Sequence, residues 1–249
     1  MNDIFEERFK VCTWDVDQAD RLTMAAAFNY FQEAAGHHAA DLGVGSEYMR
    51  ANGIVWILSR MSAALESRPV SGARLRVRTW PRGTDRLFAR RDYQILDEAD
   101  AVVARGRSGW LIVDAENFRP RRPEALAAGL PTNDGLDSLP DGAGAIAASE
   151  GLEKAMDRVV GYSDLDCNGH MNNARYVQWI QDALDPAELA EASAMRLDIN
   201  YLAEMRLGVP AGLYAGAIDG DAAWPLRRAI EGRTSEGQSS FRAELSLRR

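Results

Sequence analysis

Residues 15–23 (Asp-Val-Asp-Gln-Ala-Asp-Arg-Leu-Thr) and residues 164–172 (Asp-Leu-Asp-Cys-Asn-Gly-His-Met-Asn) are two versions of one sequence. Each is followed by an apolar and aromatic run with spacings of three and four, which is typical of a helix that buries one face. Such self-similarity indicates that one structural unit occurs twice in the chain. This pair of stretches decides the fold, because each copy should lead into a central helix.

A second match lies further along each copy. Met61–Leu65 aligns with Tyr201–Met205, and Gly72 aligns with Gly212. These pairs are nine residues out of step with the first match. The first copy is therefore expected to have a longer helix or helix-exit loop, around His37–Gly45.

Strand-like runs surround both predicted helices, since β-branched and aromatic residues recur between turn signals. They lie at Phe5–Trp14, Ile54–Leu65, Arg74–Trp80, Leu87–Leu96 and Val102–Val113, and again at Asp157–Ser163, Met195–Glu204, Gly212–Ala217, Leu226–Glu231 and Phe241–Leu247. The order predicts an α+β fold in which each half is an antiparallel β-sheet wrapped around one central α-helix.

A segment rich in Pro and Gly separates the two copies. We therefore predict a first domain at residues 1–119, a linker at residues 120–154 and a second domain at residues 155–249. A short helical piece is expected within the linker, around Pro123–Ala128.

Composition argues against several classes of protein: nucleic-acid binders, membrane-spanning proteins and disulfide-rich proteins. The chain has 249 residues, of which 46% are hydrophobic, and its formal net charge of -8 argues against a nucleic-acid binder. No apolar run approaches the roughly 18 residues that cross a bilayer, and the first residues do not resemble a signal peptide. Cys12 and Cys167 are too few for a disulfide framework. We predict a cytoplasmic globular protein without a membrane span.

One segment reverses the acidic average. From Arg68 to Arg91 there are eight arginines and a single acid, Asp85. The strict alternation over Arg74–Arg78 fits a strand with one charged face, so a solvated sheet face is the simpler interpretation. The alternative is a docking patch for an acidic partner.

The two copies differ where chemistry could occur. Asn168 and His170 of the second copy align with Ala19 and Arg21 of the first. The second match aligns Glu204 with Ala64. A cluster of Asp, Asn, His and Glu thus belongs to the second copy, which predicts one active site per chain, in the C-terminal half.

The segment Asp164–Tyr176 resembles the active-site segment of acyl-acyl-carrier-protein (acyl-ACP) thioesterases, which are double hotdog proteins of bacterial and plant fatty-acid synthesis. Val55–Met61 resembles the strand after the family's first hotdog helix, and Arg90–Asp92 resembles another of its segments. The resemblance extends from about Phe5 to Leu247. It implies a tandem hotdog fold and hydrolysis of fatty acyl-ACP, in which the N-terminal hotdog shapes the acyl pocket and the C-terminal one is catalytic.

The family's proposed catalytic positions fall on Asp166, Asn168, His170 and Glu204. Plant members have Cys directly after this Glu, where this chain has Met205, so a thiol mechanism at that position is not expected. Further positions that the family interpretation suggests are Phe28, Phe31 and Trp56 for the acyl pocket and Arg86, Arg90 and Arg91 for the acidic carrier protein.

The chemistry needs an activated water and a site for negative charge. Main-chain N–H groups of Gly169, His170 and Met171, at a helix start, are expected to bind the thioester oxygen. Asp166 or Glu204 would activate the water, and whether Asp166 instead attacks as a nucleophile is left open. No metal or organic cofactor is needed.

Several alternatives are open at this point. Asp166 and Asn168 could merely cap the helix, and His170 could be a packed histidine. Asn172 and Asn173 are better explained as helix-start groups, and Cys167 as a small buried residue. An acyl-CoA thioesterase, a non-catalytic acyl-binding hotdog and a hotdog dehydratase are rival functions, and a homodimer is possible.

Overall fold

The computed structural model describes residues 3–123, 126, 129–142 and 144–249. Its first unit has strands β1 (Phe5–Lys10), β2 (Ile54–Leu65), β3 (Arg74–Asp85), β4 (Phe88–Leu96) and β5 (Val102–Asp114), a short β6 (Pro120–Arg121), and helices α1 (Met24–Asp41) and α2 (Ser46–Ala51). Its second unit has strands β7 (Glu153–Val159), β8 (Ala194–Tyr201), β9 (Pro210–Ile218), β10 (Leu226–Thr234) and β11 (Ser239–Arg248), and helices α3 (Asn173–Asp182) and α4 (Pro186–Glu191).

The strands form one antiparallel sheet with a repeated order. The order is β1-β3-β4-β5-β2 in the first unit and, from the other edge, β7-β9-β10-β11-β8 in the second. β2 and β8 join the two units, and Ser62 is directly opposite Asp198 at their centre. The Ser62 hydroxyl donates to the Asp198 carboxylate across this junction. The same topology twice, related by the β2–β8 pair, is the architecture that the internal repeat predicts.

Each long helix begins at a matched cap. Thr23 accepts from the main-chain N–H of Ala26 at 3.2 Å, and Asn172 accepts from that of Ala174 at 2.9 Å. Side-chain oxygens at such positions satisfy N–H groups that have no partner within the helix. α1 is 18 residues long and α3 is 10, which confirms that the first copy has the longer helix.

The core lies between the helices and the concave side of the sheet. Apolar side chains of α1 and α3, such as Phe31, Val177 and Ile180, are almost fully buried against it. The helices also contact each other, because the Gln181 side chain accepts from the main-chain N–H of Ala25 at 3.2 Å. No helix in the described part of the chain is long and apolar enough to span a membrane.

The segment between the units is attached to both of them. The Asp137 carboxylate accepts from Arg107 at 2.5 Å on the first unit. The main-chain N–H of Ile146 donates to Asn200 at 2.8 Å on the second. β7 begins at Glu153, two residues earlier than the predicted domain start, and the predicted helical piece lies largely outside the described residues.

Candidate active site

The loop before α3 is built around the Asp166 carboxylate. Its Oδ1 accepts from the main-chain N–H groups of Asn168 at 2.8 Å and His170 at 3.1 Å. The turn closes with a bond from the Gly169 N–H to the Asp166 carbonyl at 3.1 Å. Gly169 has a φ of +75°, a conformation that costs little only for glycine. The loop thereby holds the His170 backbone in place.

Glu204 reaches this loop from the far side of the unit. β8 ends at Tyr201, so Glu204 lies in the following loop and not on the predicted strand. That loop pairs with the chain at His170 and Met171, since the Met171 N–H donates to the Met205 carbonyl at 2.8 Å and His170 forms an antiparallel bridge with Arg206. As a result, Glu204 Oε2 lies 3.4 Å from His170 Nε2.

The site is accessible to a substrate. The side chain of His170 is 28% exposed and that of Glu204 is 35% exposed. The Asn168 amide Nδ2 lies 3.4 Å from Asp166 Oδ2. The structure therefore brings together all four residues that the sequence predicts: Asp166, Asn168, His170 and Glu204.

A buried tyrosine, Tyr176, lies near the carboxylates of Asp166 and Glu204. Tyr176 of α3 packs edge-on against Tyr201 and Phe241. Burial raises the pKa of the Tyr176 hydroxyl, and the charges of Glu204 and Asp166 raise it further. The hydroxyl is consequently protonated at neutral pH.

The matching loop of the first unit has the same frame with different side chains. Asp17 Oδ1 accepts from the N–H groups of Ala19 at 2.9 Å and Arg21 at 3.1 Å, as Asp166 does. Asp17 Oδ2, however, binds two guanidinium groups, those of Arg21 at 3.2 Å and Arg68 at 2.5 Å. The carboxylate–turn geometry is thus a property of the fold, and the surroundings of the second oxygen distinguish the two units.

The predicted alignment of Glu204 with Ala64 of the first unit is wrong. Pro69 and Met205 accept matching main-chain hydrogen bonds beside the two helix starts, so the residues before them, Arg68 and Glu204, occupy matching places. Ala64 lies within β2. Gly72 likewise matches Gly208, not Gly212: the two donate to matching carbonyls and both have positive φ. The match predicted from the sequence is displaced because Glu204 lies in the loop after β8 and not on the strand.

The expected oxyanion donors are already used within the chain. The N–H groups of Gly169 and His170 donate to Asp166, and that of Met171 donates to Met205. The helix starts only at Asn173, after the cap Asn172. The prediction that Gly169, His170 and Met171 offer free N–H groups is therefore wrong, whereas the prediction that Asn172 caps the helix is confirmed.

In the arginine-rich segment, Arg76 and Arg78 of the predicted charged strand face are partly exposed and paired with Glu6, as the simpler interpretation expects, whereas other arginines are engaged within the fold. Arg91 points inward, contacts His38 Nδ1 at 2.9 Å and donates to Thr79 at 3.2 Å, and burial lowers the pKa of its guanidinium. Arg90 is half-buried and its Nε has no hydrogen-bond partner among the described residues. Of the three predicted carrier-binding arginines, Arg86 is exposed and Arg90 and Arg91 are half-buried, and their role with the carrier stays a prediction.

The three residues suggested for the acyl pocket lie in the first unit. Phe28 and Phe31 are 2% and 1% exposed and belong to the packed core. Trp56 donates to the Val44 carbonyl at 3.0 Å. A cavity of about 580 Å³ lies between β1, α1 and α3, but none of these three residues lines it. Their role with the acyl chain stays a prediction.

Two residues near the site behave differently from expectation. Cys167 is exposed, so its predicted role as a small buried residue is wrong. Arg206 escaped the sequence comparison, although its Nη2 lies 3.3 Å from Glu204 Oε2. The main-chain hydrogen bonds match Arg206 with Val70 of the first unit. The displaced sequence alignment does not pair these two residues, so it does not reveal the change from an apolar to a basic side chain.

Comparison with known proteins agrees with this architecture. Residues 2–127 match the family model of the acyl-ACP thioesterase N-terminal domain, and residues 149–216 match that of the acyl-ACP thioesterase C-terminal domain. An acyl-[acyl-carrier-protein] hydrolase of Cuphea viscosissima is 23% identical over 220 residues, which are 81% of this chain and 52% of the relative. An oleoyl-acyl carrier protein thioesterase of Coriandrum sativum is 25% identical over 218 residues, which are 80% of this chain and 59% of the relative.

The chain spans somewhat more than half the length of these two curated relatives. Among solved structures, an acyl-ACP thioesterase from Bacteroides thetaiotaomicron superposes with a TM-score of 0.85 at 22% identity, covering 99% of this chain and 98% of that one. The 12:0-ACP thioesterase from Umbellularia californica gives a TM-score of 0.77 at 19% identity, covering 98% and 94%. The predicted α+β tandem hotdog fold is confirmed. With family models matching in both halves, the chain belongs to the acyl-ACP thioesterase family.

Proposed function

We propose that this protein hydrolyses the thioester of fatty acyl-ACP and releases a free fatty acid and the carrier's thiol. One observation carries the proposal: a chain of this family keeps Asp166, Asn168, His170 and Glu204 together in one unit, while the matching place in the other unit is filled by arginines. A module that only binds acyl groups has no need for such a cluster.

Glu204 is the base that activates water. Its two described contacts both fall on Oε2, from His170 and Arg206, which leaves Oε1 to bind a water molecule. The water oxygen attacks the thioester carbon while its proton passes to Glu204. The carbon–sulfur bond then breaks, and Glu204 returns the proton to the sulfur, which leaves as the carrier's thiol while the acyl group leaves as the free fatty acid.

Asp166 serves a different purpose. Its Oδ1 is committed to the loop in the same way as Asp17 in the unit that lacks the cluster. We assign Asp166 to hold the loop and to orient the Asn168 amide through Oδ2. The amide then donates to the thioester oxygen, where one well-placed donor contributes roughly 2.7–4 kcal/mol to transition-state stabilisation.

The substrate's carrier is an acyl-carrier protein, in keeping with the family. We expect the reaction in the cytoplasm, because Cys12 and Cys167 are both free thiols. Hydrolysis by this route requires no cofactor.

The test is thiol release from a matched panel of acyl-ACP and acyl-CoA substrates of several chain lengths. The proposal predicts a higher kcat/KM on acyl-ACP and loss of release in Asp166→Ala. A preference for acyl-CoA would identify an acyl-CoA thioesterase instead. A folded protein that releases no thiol from any substrate would be an acyl-binding module.

A further inference from the structure

The internal repeat provides a comparison within one chain. The loop frames match hydrogen bond for hydrogen bond, so side chains that differ at matched positions mark what the catalytic unit has and the other lacks. The matched pairs that differ around the cluster include Ala19 and Asn168, Arg21 and His170, Arg68 and Glu204, and Val70 and Arg206. The first three pairs contain three of the four predicted catalytic residues, and the fourth contains Arg206, to which the sequence analysis gives no role.

Arg206 is fixed at its backbone and placed beside the base. Its antiparallel bridge with His170 has no counterpart at Val70 among the bridges of the described residues. From there its Nη2 reaches Glu204 Oε2 at 3.3 Å, the same oxygen that His170 Nε2 approaches at 3.4 Å. Two nitrogen groups therefore converge on one carboxylate oxygen, and no contact from the described residues falls on the other oxygen.

We propose that Arg206 is a positioning residue that holds the Glu204 carboxylate turned with Oε1 towards the attacking water. The inference rests on the proposed function, since it assigns Glu204 as the base. A guanidinium that donates to Oε2 fixes that oxygen and so sets the direction in which Oε1 points. Arg206 thus acts through Glu204 and does not touch the reacting atoms.

The size of the effect follows from exposure. The Arg206 side chain is 61% exposed, so water and salt screen its charge. An exposed ion pair of this kind corresponds to a change of at most about fivefold in rate. The effect should also depend on salt, unlike that of a buried structural arginine.

A cation at the mouth of the site has one rival role, which is to bind the phosphate of the carrier's phosphopantetheine arm. The two roles differ in their substrate dependence. If Arg206 orients the Glu204 carboxylate, loss of its charge lowers kcat for every thioester substrate. A phosphate ligand changes KM, and only for substrates that contain the phosphate.

The experiment compares Arg206→Ala and Arg206→Lys with the control Arg249→Ala. Arg249 is a suitable control because its side chain is also exposed, at 70%, and is paired with a glutamate, Glu191, at 2.8 Å. Thiol release is measured on acyl-ACP and on an acyl-N-acetylcysteamine thioester, which has no phosphate. We expect Arg206→Ala to lower kcat about three- to fivefold on both substrates with KM unchanged, and Arg206→Lys to recover part of the loss. At about 1 M salt the gap between wild type and Arg206→Ala should close.

A loss confined to KM on acyl-ACP would overturn the proposal in favour of phosphate binding. An unchanged kcat in Arg206→Ala, or an equal loss in Arg249→Ala, would also overturn it. Wild-type hydrolysis in the same assay tests the proposed function separately, so its failure is distinguishable from failure of the role of Arg206.

Discussion

Arg68 in the first unit occupies the place of Glu204 in the second, and it binds Asp17 at 2.5 Å where Glu204 lies beside His170. The exchange reverses the charge at the centre of the site. Arg68 also donates to the carbonyls of Leu22 at 3.0 Å and Leu189 at 2.9 Å, and the latter belongs to α4 of the other unit. Arg68, together with Asp17, Leu22 and Leu189, therefore forms a clamp, which is a set of hydrogen bonds that joins the two units.

Removal of this clamp should cost stability. The Arg68 side chain is 3% exposed, and Arg68→Met removes the shorter of the two guanidinium contacts to Asp17 together with the donor to the carbonyls of Leu22 and Leu189. We expect the free energy of unfolding to fall by about 3–5 kcal/mol, as when one partner of a buried pair is removed. Urea unfolding measures it. Arg105→Met, which removes an exposed pair with Glu66, is the control and should cost less than about 1 kcal/mol. Equal losses would contradict the clamp.

Asp17 makes this stability depend on pH. Burial acts to raise its pKa, but Arg68, the N–H groups of Ala19 and Arg21, and the Arg21 charge outweigh burial and lower it. A carboxyl with a lowered pKa in the folded state stabilises the fold above its ordinary value of 3.8, and the contribution is lost as pH falls below that value. Asp17→Asn should therefore be less stable than wild type near neutral pH and converge with it in acid. Urea unfolding at a series of pH values measures the gap, and a gap that stays constant into acid would refute the assignment.

Asn168 is expected to be dispensable for folding but needed for the reaction. The first unit tolerates Ala19 at the matched position with the same turn geometry. Asn168→Ala should retain the wild-type melting temperature and lose about 10²–10³-fold in kcat, as when one oxyanion donor is removed. Thermal unfolding and thiol release together decide the matter. If the melting temperature falls enough for unfolding to explain the lost rate, Asn168 has a structural role and not a catalytic one.

The arginines of β4 and its turn should respond differently to charge reversal. Arg91→Glu places an anion in the interior of the first unit and should cost more than about 3 kcal/mol of stability. Arg86→Glu changes an exposed turn residue and should cost less than about 0.5 kcal/mol. Chemical denaturation distinguishes the two. Arg86 is consequently the position at which carrier docking can be tested, by comparing turnover of acyl-ACP and a small thioester. Similar stability losses would show that Arg91 is not buried as described.

Much of the fold was predictable from local patterns. β2 has the predicted bounds, Ile54–Leu65, because a run rich in apolar and β-branched residues lies between turn residues such as Gly53 and Pro69. The caps Thr23 and Asn172 are visible in the sequence as short polar side chains before apolar runs. The cluster residues Asp166, Asn168 and His170 were found because they lie within one loop, where spacing along the chain reflects spacing in space.

Other features depend on tertiary contacts that spacing does not reveal. Alternation along β4 cannot tell which face turns towards α1, so the burial of Arg91 was missed. The place of Glu204 depends on where β8 ends and how the following loop returns to His170, which displaced its match from Arg68 to Ala64. The used N–H groups at Gly169 and His170 follow from the turn around Asp166, which becomes evident only with coordinates.

The most direct test of the account is the rate of thiol release from acyl-ACP by Glu204→Gln, compared with wild type and with Glu66→Gln. Glu66 is the control because it is also a partly exposed glutamate paired with an arginine, on the unit without the cluster. The account predicts that Glu204→Gln folds normally and loses about 10²–10⁴-fold in kcat, while Glu66→Gln keeps the wild-type rate. Wild-type turnover by Glu204→Gln would contradict the claim that this carboxylate activates the water.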